Sequence, residues 1–214
     1  MNMHRTWSEI VAADPDHSRR YAQRWESFVA QGRDIEGEAR LVDAMAPRAA
    51  RILDAGCGQG RLGGYLATRG HRVLGVDIDP YLISVARDIQ PGGTWKVGDL
   101  ARLGEVLADF DADPAADEAG EHPTGDFDVI AAAGNVLTFI DPADRGAVLE
   151  GFRDALAGGG RAVMGFGAGR GWTFDEFEAD AFEAGLHVTH RFSTWNLHAF
   201  DERANFLVAI AERA

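Results

Sequence analysis

Arg51-Ile52-Leu53-Asp54-Ala55-Gly56-Cys57-Gly58-Gln59-Gly60 is followed, seventeen residues beyond Gly60, by the acid of Val76-Asp77-Ile78-Asp79. The run reads as a short buried strand, a glycine turn opening a helix, a second strand and a carboxylate at that strand's tip. In an open parallel sheet it sets a glycine-lined floor beside an acidic hydroxyl acceptor, at the strand ends where adenosine-containing ligands are held. The fold class it implies is α/β, Rossmann-like and doubly wound.

Working outward, short β-rich runs alternate with longer helical ones. Strands are expected over residues 51–54, 72–77, 94–98, 127–132, 160–166, 186–195 and 204–211, making a seven-stranded, mostly parallel sheet. Helices are expected over 61–68, 80–89, 143–156 and 174–184. The stretch from Asn196 to Arg203 is too short for a crossover helix, so the last strand should run antiparallel. Residues 49–214 then form one domain. Residues 1–48 form a helical cap, with amphipathic helices over 18–30 and 36–46; the first of these carries Tyr21, Trp25 and Phe28 on one face.

Composition narrows the function. The 34 acidic side chains outnumber the 21 Lys and Arg, for a net charge of −13, so a nucleic-acid backbone would be repelled over most of the surface. No apolar run approaches the roughly 20 residues that span a bilayer. A single cysteine, Cys57, excludes an intrachain disulfide and fits a cytoplasmic protein. Glu105, Asp109, Asp111, Asp113, Asp117, Glu118, Glu121 and Asp126 crowd residues 105–126 without one Lys or Arg, which reads as a solvated, mobile loop. The run lacks the spacing of a calcium loop, and no metal is expected.

Gly58-Gln59-Gly60-Arg61-Leu62-Gly63 also fits the spacing G-x-G-x-x-G, so a dinucleotide and an NAD-dependent oxidoreductase enter as one alternative. Asp54, at the exit of the first strand, weighs against a pyrophosphate. S-adenosylmethionine carries an ammonium and a sulfonium and no phosphate; at ~5 Å and an effective dielectric of ~20 a charge pair is worth about 3 kcal/mol, enough to choose between the two ligands.

On these residues the chain resembles the class I S-adenosylmethionine-dependent methyltransferases, from Arg51 to Ala211. Leu53 to Gly60 resembles their first motif and Gly75 to Asp79 their second. The resemblance implies that Asp54, Gly56, Cys57, Gly58 and Gly60 cradle the cofactor, and that Asp77 accepts the ribose hydroxyls. It further implies that Ile78 covers an adenine face and that Asp99, beside Leu100, meets the adenine amino group. Ala133, Gly134 and Asn135, after the fourth strand, would lie beneath the methionine moiety.

The acceptor side is less legible. Gly134 to Phe139 lacks the Asn-Pro-Pro-Tyr pattern of family members that methylate adenine or amide nitrogens, and holds no histidine. His187, His190 and His198 read as solvated rather than catalytic, and no catalytic base is assigned. Tyr21 and Trp25 are candidates for a lid over the site. Phe139, Arg170 and Trp172 are candidates to touch the substrate, Arg170 as a partner for an anionic group. A small-molecule acceptor is expected, with no nucleic-acid or membrane partner. A cofactor-binding module without catalysis is a second alternative.

Overall fold

The computed structural model describes residues 5–111 and 126–214. Its strands are β1 (Arg51–Ala55), β2 (Arg72–Asp77), β3 (Thr94–Val97), β4 (Phe127–Ala132), β5 (Leu156–Gly167), β6 (Leu186–Phe192) and β7 (Phe206–Arg213). They form one sheet in the order β3-β2-β1-β4-β5-β7-β6. The pairs from β3 to β5 are parallel, and β7 runs antiparallel to both β5 and β6.

Alternating side chains of the central strands feed two apolar layers. Leu53, Leu74, Val76 and Ile130 face α6 (Leu103–Asp111), α7 (Arg145–Ala155) and α8 (Phe174–Glu183), where Leu103, Phe152 and Phe177 complete the packing. Ile52, Val73, Val129 and Val163 face α3 (Gly37–Met45), α4 (Arg61–Thr68) and α5 (Pro80–Ile89). Ala39 and Val42 of α3 are fully buried in that second layer, so α3 is packed as part of the sheet's own core. His71, buried at the start of β2, receives the Ala50 N–H on Nδ1 at 3.2 Å and contacts Asp43 of α3 through Nε2 at 2.9 Å, which fixes α3 beside β1.

Two helices escape the sequence reading. The first, α1 (Trp7–Ala13), opens on a capping box between Thr6 and Glu9 and precedes α2 (His17–Ala30). The other, α6, occupies the start of the acidic stretch and corrects the expectation of a loop there. Its Leu103 and Leu107 are buried against the sheet, and this burial outweighs the repulsion of its acids. The remainder of the expected loop, 112–125, lies outside the described residues. No helix among the described residues is long and apolar enough to cross a membrane.

Candidate active site

Strand order reverses between β1 and β4, and the carboxyl ends of β1 to β4 open there onto a common cleft. Its floor is the turn after β1. Gly60, at φ 76°, begins α4 in a left-handed conformation and offers no side-chain cap. The cap comes instead from Asp54 at the tip of β1, whose carboxylate accepts the Gly63 N–H at 2.8 Å. Below the turn lies the Trp95 indole. A Cβ at Gly60 would fall 2.9 Å from its ring and one at Gly63 2.8 Å, so these two glycines make room for tryptophan rather than for a ligand. Two of the three glycines of the G-x-G-x-x-G spacing thus answer to packing in this chain.

Asp77 ends β2 beside that floor. One oxygen accepts the Gly58 N–H at 2.8 Å and the other the Asp79 N–H at 2.9 Å, which fixes the carboxylate plane and leaves acceptor capacity on both oxygens. Asp79, not Asp77, caps α5, accepting the Tyr81 and Leu82 N–H groups at 2.9 and 3.3 Å, with Pro80 at the first helical position. Burial pushes the Asp77 carboxyl up to about 6, against the pull of its two N–H donors. Burial likewise pushes Asp54 up to about 7, against the Gly63 N–H. Asp54 is thus not the fixed negative charge that its place in the sequence suggests. It is a buried helix cap.

The cleft is lined by Gly56, Gly58, Asp77 and Ile78, by Asp99 and Leu100 after β3, and by Gly134 and Phe139 after β4. Ile78 presents an apolar side chain that is 42% exposed. Asp99 spends one oxygen on the Ala101 N–H at 3.0 Å. A smaller chamber adjoins the cleft through Tyr21, Gly56, Gly58 and Gly134, and its walls include Asp54, Cys57, Trp25 and Ala133. The expected cofactor residues thus converge, with two exceptions. Gly60 is turned to Trp95, and Asn135, at φ 65°, uses its side-chain oxygen to accept the Gly167 N–H at 2.8 Å, which ties the β4 turn to β5.

The acceptor candidates divide. Tyr21 lines both cavities, Trp25 the chamber and Phe139 the cleft. Trp172, proposed as a substrate contact, is corrected: it is 1% exposed, stacks on Phe166 with ring centroids 6.2 Å apart, and donates its indole N–H to Asp180 at 2.9 Å. The ring completes the core under α8. Arg170 is exposed and lines neither cavity.

Sequence reasoning missed Trp7. Its ring packs edge to face on Tyr21 and Phe139 at 5.4 and 5.5 Å, and its indole N–H donates to Asp79 at 2.8 Å. The Ser18 hydroxyl donates to the same Asp79 oxygen. Helix α1 buries none of its residues, so these contacts hold it over the cleft. Thr6-x-x-Glu9, a capping-box spacing, was the available signal for this helix.

Residues 53–162 match the family model described as a methyltransferase domain. A TehB-like SAM-dependent methyltransferase from Corynebacterium glutamicum superposes with a TM-score of 0.82 at 47% identity, covering 94% of this chain and 100% of that one. Magnesium-protoporphyrin O-methyltransferase of Rhodobacter capsulatus is 32% identical over 153 residues, 68% of this chain and 56% of its own length. The mouse 18S rRNA (guanine-N(7))-methyltransferase is 28% identical over 89 residues, 42% of this chain and 32% of its own. The chain thus spans about half or less of the length of these two curated relatives. With a glycine floor, a carboxylate at the β2 tip and an antiparallel β7 on the same sheet, it belongs to the class I S-adenosylmethionine-dependent methyltransferases.

Proposed function

We propose that the cleft holds S-adenosylmethionine with its ribose on Asp77 and its adenine against Ile78, Asp99 and Leu100. In this reading the amino-acid end points toward the small chamber, and the acceptor is a small molecule held beneath Trp7, Tyr21 and Phe139. Asp77 carries the reading. Two backbone N–H groups hold its carboxylate in place on the cleft wall, with lone pairs to spare for a diol. The residues fit the group: bare backbone at Gly56 and Gly58, an apolar plate at Ile78 and a second acid at Asp99.

The cofactor supplies an electrophilic methyl group on a sulfonium. The protein's share is position, because displacement at that carbon needs an acceptor lone pair held in line with the bond that breaks. The edge-to-face rings of Trp7, Tyr21 and Phe139 form a rigid apolar wall suited to a small organic acceptor. A net charge of −13 opposes a polyanionic one. The test is transfer from methyl-labelled cofactor to a panel of small amines, phenols, thiols and acids, with rRNA and peptide pools as controls. Label in low-mass product supports the reading. Label confined to RNA or protein overturns it.

A pH dependence follows from the two raised carboxyls. Ribose hydroxyls donating to Asp77 and a cation near Asp54 both favour the ionised forms, so binding lowers both pKa values and releases protons. Cofactor affinity is expected to be flat above about pH 8 and to fall below the free-protein values of about 7 and 6. Each protonated group contributes at most about tenfold per pH unit. The free protein behaves oppositely: both pKa values lie above 3.8, so its stability declines as pH rises from about 4 to about 7. Calorimetry in buffers of different ionisation heat measures the released protons. Proton uptake would contradict the assignment.

Trp7 offers a separate check on the roof. Trp7→Phe keeps the ring and removes the N–H donated to Asp79. The loss of a hydrogen bond to a charged group, about 1.5–3 kcal/mol, is expected to speed cofactor release by about tenfold or more and to raise amide exchange over residues 7–13. An unchanged off-rate would leave α1 as packing only.

A further inference from the structure

We propose that the carboxyl end of β5 holds the acceptor by a carboxylate, with Arg170 as its counter-ion and the Trp195 indole as the plate for its apolar body. The assignment rests on the small-molecule reading above and adds the class of acceptor to it. Gly165 and Gly167 are alternate residues of β5 and so face the same side of the sheet. Each is bare where a side chain from elsewhere takes the space. A Cβ at Gly165 would fall 2.4 Å from the Trp195 ring, and one at Gly167 would fall 3.3 Å from Arg170 Nε and 3.5 Å from Asn135 Oδ1. An indole from the loop between β6 and β7, a guanidinium from the loop after β5 and an amide from the turn after β4 thus converge on one strand end. Asn135 directly follows Gly134, which lines both the cleft and the chamber, so this strand end adjoins the site.

Arg170 is exposed, yet its loop is tied down on both sides. Gly169 and Gly171 flank it at φ 72° and 88°, which lets the chain fold the side chain back over Gly167. The Ala168 N–H donates to the Asn205 carbonyl at 2.9 Å, the Gly171 carbonyl accepts from Arg145 at 2.6 Å, and Trp172 is buried. No described acid pairs with Arg170. The Trp195 indole N–H and the Asn135 side-chain NH2 likewise have no described acceptor, and both residues are only half-buried. The acceptors nearby are spent: Asn135 Oδ1 on the Gly167 N–H and the Asn205 carbonyl on the Ala168 N–H. The strand end therefore offers donors, one of them charged, and selects an anion.

The size of that anion follows from the charges. With a net charge of −13 the protein repels a carboxylate at long range, but surface fields are screened beyond about 8 Å at physiological salt, so a local cation decides the outcome. A guanidinium fork matches one planar carboxylate, and the indole beside it suits an apolar body. A carboxylate gripped in this way spends its lone pairs on donors, so the methylated atom is another one. The acceptor class is a small carboxylic acid that carries a separate hydroxyl, amine or thiol. Its heteroatom lone pair forms the new bond to the methyl carbon, the carbon–sulfur bond breaks with its electron pair left on sulfur, and the acceptor's proton passes to water.

The test offers methyl-labelled cofactor to matched pairs that differ only at the anionic group: 4-aminobenzoate and 4-aminobenzamide, 4-hydroxyphenylacetate and 4-hydroxyphenylacetamide, 3-mercaptopropionate and 3-mercaptopropionamide. In at least one pair the wild-type protein is expected to prefer the acid by about tenfold or more in kcat/KM, with the difference in KM. In Arg170→Gln that ratio should fall to about one, and Arg170→Lys should restore part of it. Amides used as well as acids, an acid preference that survives in Arg170→Gln, or no transfer to any acid overturns the assignment. If the variants fail to fold, the wild-type protein loaded with S-adenosylhomocysteine still decides: the Trp195 indole N–H resonance should move with the preferred acid and not with its amide. Movement with both, or with neither, overturns it. Failure of the underlying readings looks different. Protein that does not bind S-adenosylhomocysteine removes the adenosine site, and label confined to RNA or protein removes the small-molecule acceptor, whereas label in neutral small molecules alone overturns only this inference.

Discussion

Asp77→Ala is expected to weaken S-adenosylmethionine binding by about 1.5–3 kcal/mol, roughly 10- to 160-fold, the range for hydrogen bonds to a charged group. The side chain has two tasks that the substitution removes together. It accepts the Gly58 and Asp79 N–H groups, and it faces the cleft with its remaining lone pairs. Asp77→Asn keeps the shape and one acceptor: its oxygen still accepts from one of those N–H groups, while its NH2 group stands as a donor against the other N–H and against a donating hydroxyl. The expected order of affinity is therefore wild type, then asparagine, then alanine. Stability is set by two opposed changes: above about pH 6 the neutral amide relieves the burial of a charge, while its NH2 group leaves one backbone N–H without an acceptor. A melting temperature for Asp77→Asn at pH 8 equal to or above wild type, beside weakened binding, would mark the residue as kept for the ligand. Wild-type affinity in Asp77→Ala would remove the ribose assignment.

The framework of this fold was open to sequence reading because its elements announce themselves locally. β2, β4, α4 and α5 fall on the residues expected from apolar runs, with Asp79-Pro80 and the glycine turn as punctuation. All seven strands and the antiparallel β7 follow from counting runs and loop lengths. The misses share one physical cause: tertiary packing decided what local character did not. In α6, Leu103, Val106 and Leu107 carry a helical stripe, but the density of acids masks it. In Gly60 and Gly63 the glycine signal was real, yet its cause sits more than thirty residues away in Trp95. Trp172, a candidate to touch the substrate, is enclosed instead by Phe166, Phe177 and Arg145.

The site shows the same division. Strand-tip residues such as Asp77, Ile78 and Asp99 converge because parallel strands in register bring their ends to one edge. The roof depends on a contact across 72 residues, from Trp7 to Asp79, that no spacing rule encodes. The role of Asp54 depends on burial, and its hydrogen-bond partner is the amide of Gly63. Electrostatic reading of a sequence assigns charges their solution values, and these two carboxyls depart from them because they are buried.

Gly58→Val is expected to abolish detectable cofactor binding while leaving the sheet folded, and the three glycines of the turn supply the internal controls. At Gly56 a Cβ would collide with the Val136 side chain, and at Gly60 with the Trp95 ring, so substitution there presses on the core. At Gly58 the same Cβ would meet only Tyr21 Cε1 at 3.7 Å and Leu82 Cδ1 at 4.0 Å, ordinary contacts on the cleft wall. The valine γ-carbons would then occupy the space where the bare backbone approaches the ligand. The backbone cost is separate: φ is 54°, a left-handed conformation worth about 1–2 kcal/mol against a side chain and more for a β-branched one. For a chain of this size that corresponds to a melting temperature lower by roughly 2–8 °C. Gly58→Ala pays most of the same backbone cost without the γ-carbons, so it should melt close to the valine variant and yet retain measurable binding. Gly60→Val should instead lose stability first, through Trp95. If Gly58→Val binds cofactor as tightly as Gly58→Ala, the turn is structural throughout and the ligand lies elsewhere.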